Sequence, residues 1–230
     1  MQRALDIAIL DPAEEGQMRR YFEVARRAET EDGRPWNNFF FTFPELSTLM
    51  RVPTPERRVI GYCAVDGAVD AAVDGPHIVA VGMLQLSQLD NLDKAWMIAL
   101  VEPELRGRGL GGAMVEALVE AAHRNGRTVL LSDAAVPFGD SATSDLLRFA
   151  ARHGFGLANR EVHRVLNLPV ADDLLDRLAG ESPHPGYTVE TYVDEVPERY
   201  LPSLAHLHNQ LVLDAPTGAV DFEAAAVTGD

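Results

Sequence analysis

Residues 95–124 constrain the fold more than any other stretch. Residues 95–101 are apolar throughout and lie between Asp93-Lys94 and Glu102-Pro103, the pattern of a buried strand. Residues 113–124 place Met114, Leu118 and Ala122, with Val115 and Val119, on one face of a helix, and Glu116, Glu120 and Arg124 elsewhere. Between strand and helix stand glycines at 107, 109, 111 and 112. Lacking side chains, they let an anion approach the backbone, and the amides and dipole at a helix start attract phosphate. Arg106 and Arg108 add positive charge. Strand, glycine loop and helix in this order predict a ligand that carries phosphate.

Two patterns fit the loop. Gly107, Gly109 and Gly112, with Asp133 about twenty residues on, match the Gly-x-Gly-x-x-Gly of dinucleotide folds. That pattern needs its first glycine directly after the strand, whereas residues 102–106, Pro103 among them, intervene here. It also opens its fold, and this loop sits mid-chain behind several strands. The second pattern is Arg/Gln-x-x-Gly-x-Gly/Ala, met by Arg106, Gly109 and Gly111 after Val101-x-Pro103. It resembles the acetyl-coenzyme A loop of the GCN5-related N-acetyltransferases, the GNAT superfamily. The resemblance implies that backbone groups of Ala99, Leu100 and Val101 pair with the pantetheine arm as an added strand would. It implies a pyrophosphate cradle formed by Arg106, Gly107, Arg108, Gly109, Leu110, Gly111 and Gly112, with acetyl-coenzyme A as acyl donor.

The flanking sequence extends this reading. Residues 5–10 form a strand, and Asp11-Pro12 with Glu14-Glu15 start a helix to about Thr30, with Met18, Tyr21, Phe22 and Ala25 inward. The aromatic run 36–43 packs the core or walls an acceptor pocket, and residues 44–52 form a short helix. Strands follow at 57–65 and 77–86, then at 128–131 as a buried strand after the central helix. A helix at 141–152, closed by His153-Gly154-Phe155, and a last strand at 161–168 complete the unit. The fold class is α/β, with a GNAT-like mixed and mostly antiparallel sheet flanked by helices on both faces. Gly154-Phe155 matches the Gly-Phe that closes the corresponding GNAT helix.

Acetyl transfer by direct attack needs a held donor, a polarised thioester and a deprotonated amine. The GNAT pattern often places a tyrosine five residues before the closing phenylalanine as acid for the thiolate; Ala150 stands there, beside Phe149. A cofactor-contacting asparagine near that helix start is replaced by Thr143. Trp96, on the central strand, accepts no proton. Asp93 precedes that strand, and Asp133 lies where the two central strands should part, so Asp133 is the candidate base; capping local amides is its structural alternative. The sequence therefore predicts an N-acetyltransferase acting on a primary amine of a small molecule, or else a non-catalytic acyl-coenzyme A-binding or structural GNAT-like domain.

The formal net charge of −15 argues against nucleic acid. One cysteine, Cys63, suits a cytoplasmic chain, and no apolar run reaches membrane-span length. His206 and His208 stand two apart on different helix faces, so no metal site is expected. Residues 1–170 read as the acyl-coenzyme A-binding domain and 171–186 as a linker. Residues 187–230 read as an opening strand (187–193) and helix (197–213) of an incomplete second unit, similar to tandem GNAT proteins of the mycothiol synthase type. Leu201, Leu204, Leu207 and Leu211 would then bury by docking or in a homodimer.

Overall fold

The computed structural model describes residues 5–30, 41–66, 77–137, 139, 144–164, 166–181 and 186–223. The chain divides into two compact units, Met1–Gly156 and Leu157–Asp230.

The first unit is built on a five-stranded sheet of β1 (Asp6–Ile9), β2 (Arg57–Asp66), β3 (His77–Ser87), β4 (Lys94–Val101) and β5 (Val129–Leu131), in that spatial order. Neighbours are antiparallel except β4 and β5, which are parallel. A parallel pair needs a long crossover, and α3 (Leu110–Arg124) supplies it. Helices α1 (Glu15–Thr30) and α2 (Phe43–Arg51) cover one face with a core of Met18, Tyr21, Leu46, Met50, Cys63 and Val81. On the other face α3 packs Met114, Val115 and Leu118 against Tyr62, Leu84, Ala95 and Met97, with Phe149 of α4 (Asp145–Arg152) at its margin. The mixed, mostly antiparallel sheet between helices is the expected class.

Gly82 marks how close α3 lies: a Cβ there would stand 2.6 Å from Met114 Sδ. On the opposite face the buried Tyr21 hydroxyl donates to Gly82 O at 2.9 Å.

Several local expectations are corrected. Asp11 does not cap α1; its carboxylate accepts from Ala13 N–H and closes a turn. Glu14 takes the cap, accepting from Gly16 N–H and Gln17 N–H at 2.9 and 2.6 Å. Val24 and Ala28 join Met18, Tyr21 and Ala25 on the buried face of α1, and the half-buried Phe22 packs against the same core. Thr42 and Glu45 form a capping box at α2. Residues 36–40 of the aromatic run lie outside the described residues, as does Thr143. β5 is a half-exposed edge strand, not a buried one, with Val129 36% exposed. α4 starts at Asp145, capped by Ser144.

Among the described residues of the second unit there is no strand. The described residues of the expected strands at 161–168 and 187–193 are irregular, with Val162, Leu166, Leu168, Tyr187, Val189 and Val193 exposed. Alternation makes a strand only where a neighbour accepts its backbone bonds. Helices α5 (Asp172–Glu181) and α6 (Leu201–Asp214) do form, α5 running through Gly180 of the expected linker. Leu201, Leu204, Leu207 and Leu211 are exposed.

Candidate active site

The site begins where β4 and β5 part. β4 pairs with β3 from Ala95 to Val101, but with β5 only from Lys94 to Trp96. Beyond Trp96, among the described residues, no strand covers that edge of β4. Antiparallel pairing alternates, each residue turning both backbone groups to the same side. Glu102 N–H donates to Val79 O at 3.1 Å, so Glu102, Leu100 and Ile98 turn their groups to β3. Met97, Ala99 and Val101 turn theirs to the open edge, as Asp93 does when its carbonyl accepts from Val129 N–H at 2.9 Å. Of the three strand residues expected to meet a pantetheine arm, Leu100 therefore has its backbone committed to β3. Ala99 remains, and Val101 through its N–H, because Arg106 Nε donates to its carbonyl; Met97 turns to the same edge. The open edge from Met97 to Val101 is about 14 Å long at the rise of an extended strand.

At the Val101 end, a 3₁₀ turn at Pro103–Leu105 delivers the chain to the glycines. Gly107 and Gly109 adopt φ of 75° and 86°, the left-handed region that glycine enters freely, and among the described residues no atom beyond their chain neighbours lies within 4 Å of where their Cβ would stand. Gly109 is the N-cap of α3, with no side-chain cap and no acidic residue in the first turn. The first intrahelical bond is Ala113 N–H to Gly109 O, so the amides of Leu110, Gly111 and Gly112 lie ahead of the helical ladder. An uncapped helix start behind an open loop is a site for an anion. Open edge and uncapped amides are continuous, so the residues present fit an elongated ligand with phosphate at one end.

Gly111 and Gly112 serve packing. A Cβ on Gly111 would lie 3.3 Å from the Phe149 ring, and one on Gly112 3.1 Å from His153 Cε1. Phe149 and His153, their ring centroids 4.6 Å apart, wedge α4 against the start of α3. The sequence offered no periodic signal for this contact, which joins residues about forty apart. Arg106 faces away from the loop: its Nη2 donates to Ala28 O at 2.8 Å and its Nε to Val101 O at 3.4 Å. Arg108 is exposed, with Nη2 3.4 Å from Glu104 O.

Asp133 is exposed and lies two residues past Leu131, the last β5 residue paired with β4. Asp93 is spoken for: Lys94 Nζ donates to it at 2.8 Å and holds its carboxyl below the ordinary range. The first unit's tyrosines, Tyr21 and Tyr62, are both buried. Burial pushes the Tyr21 phenol well above its ordinary value, so it stays protonated. Cys63 is buried too, its thiol raised by desolvation to about 12. Ala150 occupies the α4 position where a tyrosine was sought. Among the described residues no three His, Cys, Asp or Glu side chains gather as metal ligands, and no helix is long and apolar enough to cross a membrane.

A profile of the acetyltransferase (GNAT) family matches residues 17–155, well over half of the chain. Among solved structures, a tandem GNAT protein from the clavulanic acid biosynthesis pathway superposes with a TM-score of 0.62 at 21% identity, over 89% of this chain and 60% of that one. The ribosomal-protein-S18-alanine N-acetyltransferase of Escherichia coli gives 0.48 at 15% identity, over 68% of this chain and 80% of that one. An aminoglycoside acetyltransferase from an uncultured soil metagenomic sample, in complex with sisomicin, gives 0.47 at 15% identity, over 71% and 96%. The likeness to the tandem protein is one of fold. No protein of curated function matches the sequence.

Proposed function

The chain belongs to the GNAT acetyltransferase family, and from that premise we propose that it transfers acetyl from acetyl-coenzyme A to a primary amine of a small molecule. The observation that carries the proposal is the continuity of the open β4 edge with the uncapped start of α3. In this reading the amides of residues 107–112 and the Arg108 guanidinium hold pyrophosphate. Ala99 and Val101 hold the pantetheine arm, and the acyl end reaches the fork at Trp96 and Met97.

Acetyl-coenzyme A supplies the activated acyl group. The chain's part is to bind, orient and move protons. On the α3 side of the sheet Ala95 and Met97 are buried under Met114 and Leu118, so the acceptor comes from the opposite face, where Trp96 and Ile98 are half-exposed. The attacking nitrogen forms a bond to the acyl carbon, the carbon–sulfur bond breaks, and the nitrogen gives up one proton while the thiolate gains one. Asp133 on the β5 arm is the proposed acceptor of the nitrogen's proton. With Ala150 on α4 and both tyrosines buried, water supplies the proton to sulfur. The formal charge of −15 draws cationic amines toward the surface.

Calorimetric titration with acetyl-coenzyme A, followed by thiol release across an amine panel, tests the proposal. Binding with turnover is the expected result. NAD binding in place of acetyl-coenzyme A would refute it. Binding without thiol release would favour a second reading, a non-catalytic acyl-coenzyme A-binding domain, to which the alanine at position 150 lends weight.

A further inference from the structure

Two arginines tie the last turn of α1 to the segment that carries β4 into the glycine loop. Arg27 Nη1 donates to Glu102 Oε1 at 3.3 Å and its Nη2 to Glu104 Oε1 at 2.9 Å. Arg106 runs the other way, from the segment to α1, through its bond to Ala28 O. A cation suits the carbonyl end of a helix. The segment itself has one 3₁₀ turn and, among the described residues, no strand partner beyond the Glu102 amide.

The charges matter as much as the tether. Glu102 and Glu104 are carboxylates directly before a loop whose amides attract phosphate. Three residues of chain span at most about 11 Å, so Glu104 stays within about one Debye length of Gly107 at 0.1 M salt. Both carboxylates would repel a phosphate, and one guanidinium contacts both. The two pairs are unequal. Glu104 is 67% exposed, and a pair in water contributes little. Glu102 has a side chain only 10% exposed, and taking the cation from a carboxylate so placed is costly.

We infer that Arg27, on α1 and outside the loop motif, is a positioning residue for acyl-coenzyme A. It holds Glu102 and Glu104 neutralised and in place, so that phosphate can settle on the amides of residues 107–112. By linkage, ligand binding tightens the last turn of α1. The inference rests on the proposed acyl-coenzyme A site.

The test titrates acetyl-coenzyme A into the full chain as wild type, Arg27→Gln, Arg27→Lys and the double variant Arg27→Gln/Glu102→Gln, at low and high salt. Hydrogen exchange of the last turn of α1 and thermal melting run alongside. Arg27→Gln is expected to raise Kd about tenfold at low salt, the scale of a coupling between sites. The deficit should shrink in part at high salt, where exposed Glu104 is screened and the largely buried Glu102 much less. Arg27→Lys and the double variant should each recover most of the affinity. Acetyl-coenzyme A should slow exchange at residues 26–30 in wild type and not in Arg27→Gln. Wild-type affinity in Arg27→Gln overturns the inference. So does a loss that is equal at both salts, tracks a fallen melting temperature and is not restored in the double variant, which marks Arg27 as merely structural. If wild type binds no acetyl-coenzyme A, the proposed function falls first and the inference with it.

Discussion

Replacing Gly109 by alanine, and separately by aspartate, divides the two demands on the cofactor loop. Gly109 caps α3 at φ 86° and ψ −6°, and a Cβ built there meets nothing within 4 Å. Alanine therefore adds backbone strain without a clash, about 1–2 kcal/mol for an L side chain in the left-handed region. Aspartate carries the same strain and sets a negative charge at the mouth of the amide cradle. Against a phosphate charge about 4 Å away, the repulsion is about 1 kcal/mol at the dielectric of water and about 4 kcal/mol at the effective value near a protein surface. These bounds translate into about 5-fold to about 1000-fold in Kd. Stability should move the other way, because a carboxylate favours the positive end of a helix. The aspartate variant should thus melt no lower than the alanine variant while binding acetyl-coenzyme A more weakly. Calorimetry at about 50 mM and about 500 mM salt supplies the assay, and the gap should narrow as salt rises. Equal affinities for the two variants, or a gap indifferent to salt, would show that no phosphate sits at Gly109.

Gly111→Ala should act on the fold instead, since its Cβ meets Phe149 at 3.3 Å; overpacking of this kind costs about 1–3 kcal/mol, and Phe149→Leu should restore the melting temperature. Asp133→Asn should lower kcat with Kd for acetyl-coenzyme A unchanged; unchanged turnover across the pH range of amine activation would remove Asp133 from the mechanism. The Cys63 thiol is held at about 12 against its ordinary 9.0. Above pH 9 the unfolded chain therefore releases this proton while the folded chain keeps it, and stability falls as pH rises toward 12, by up to about 1.4 kcal/mol per pH unit. Cys63→Ala should remove that part of the alkaline slope in denaturant titrations. A chain ending at residue 170 should bind acetyl-coenzyme A as the full chain does; loss of folding on that truncation would make the tail integral to one domain.

The loop and its neighbours were legible because their signals are local. Seven apolar residues, two glycines whose φ is positive, and a helix with Met114, Leu118 and Ala122 on one face each follow from chain stereochemistry within a few residues. The sheet class followed from the order of such elements. The fork needed more: β5 is three residues long, and only its register against β4 shows that pairing stops at Trp96.

The two arginines of the loop were not told apart in the sequence. Arg106 and Arg108 stand two residues apart in one basic loop, yet Arg106 reaches Ala28 of α1 and the exposed Arg108 reaches only Glu104 O of its own segment among the hydrogen bonds described. Likewise Gly107 and Gly111 are alike on paper, but a Cβ on the first meets empty space and on the second a ring of α4. The stretches at 161–168 and 187–193 alternate as well as β1 does, but β1 has β2 beside it and, among the described residues, those two have no strand partner. Sequence by itself determined the elements whose hydrogen bonds or backbone angles close within the segment, together with the loop motif. Tertiary structure decided every feature that needs a second segment, because a strand's ladder, a guanidinium's acceptor and the space beside a glycine belong to residues tens of positions away.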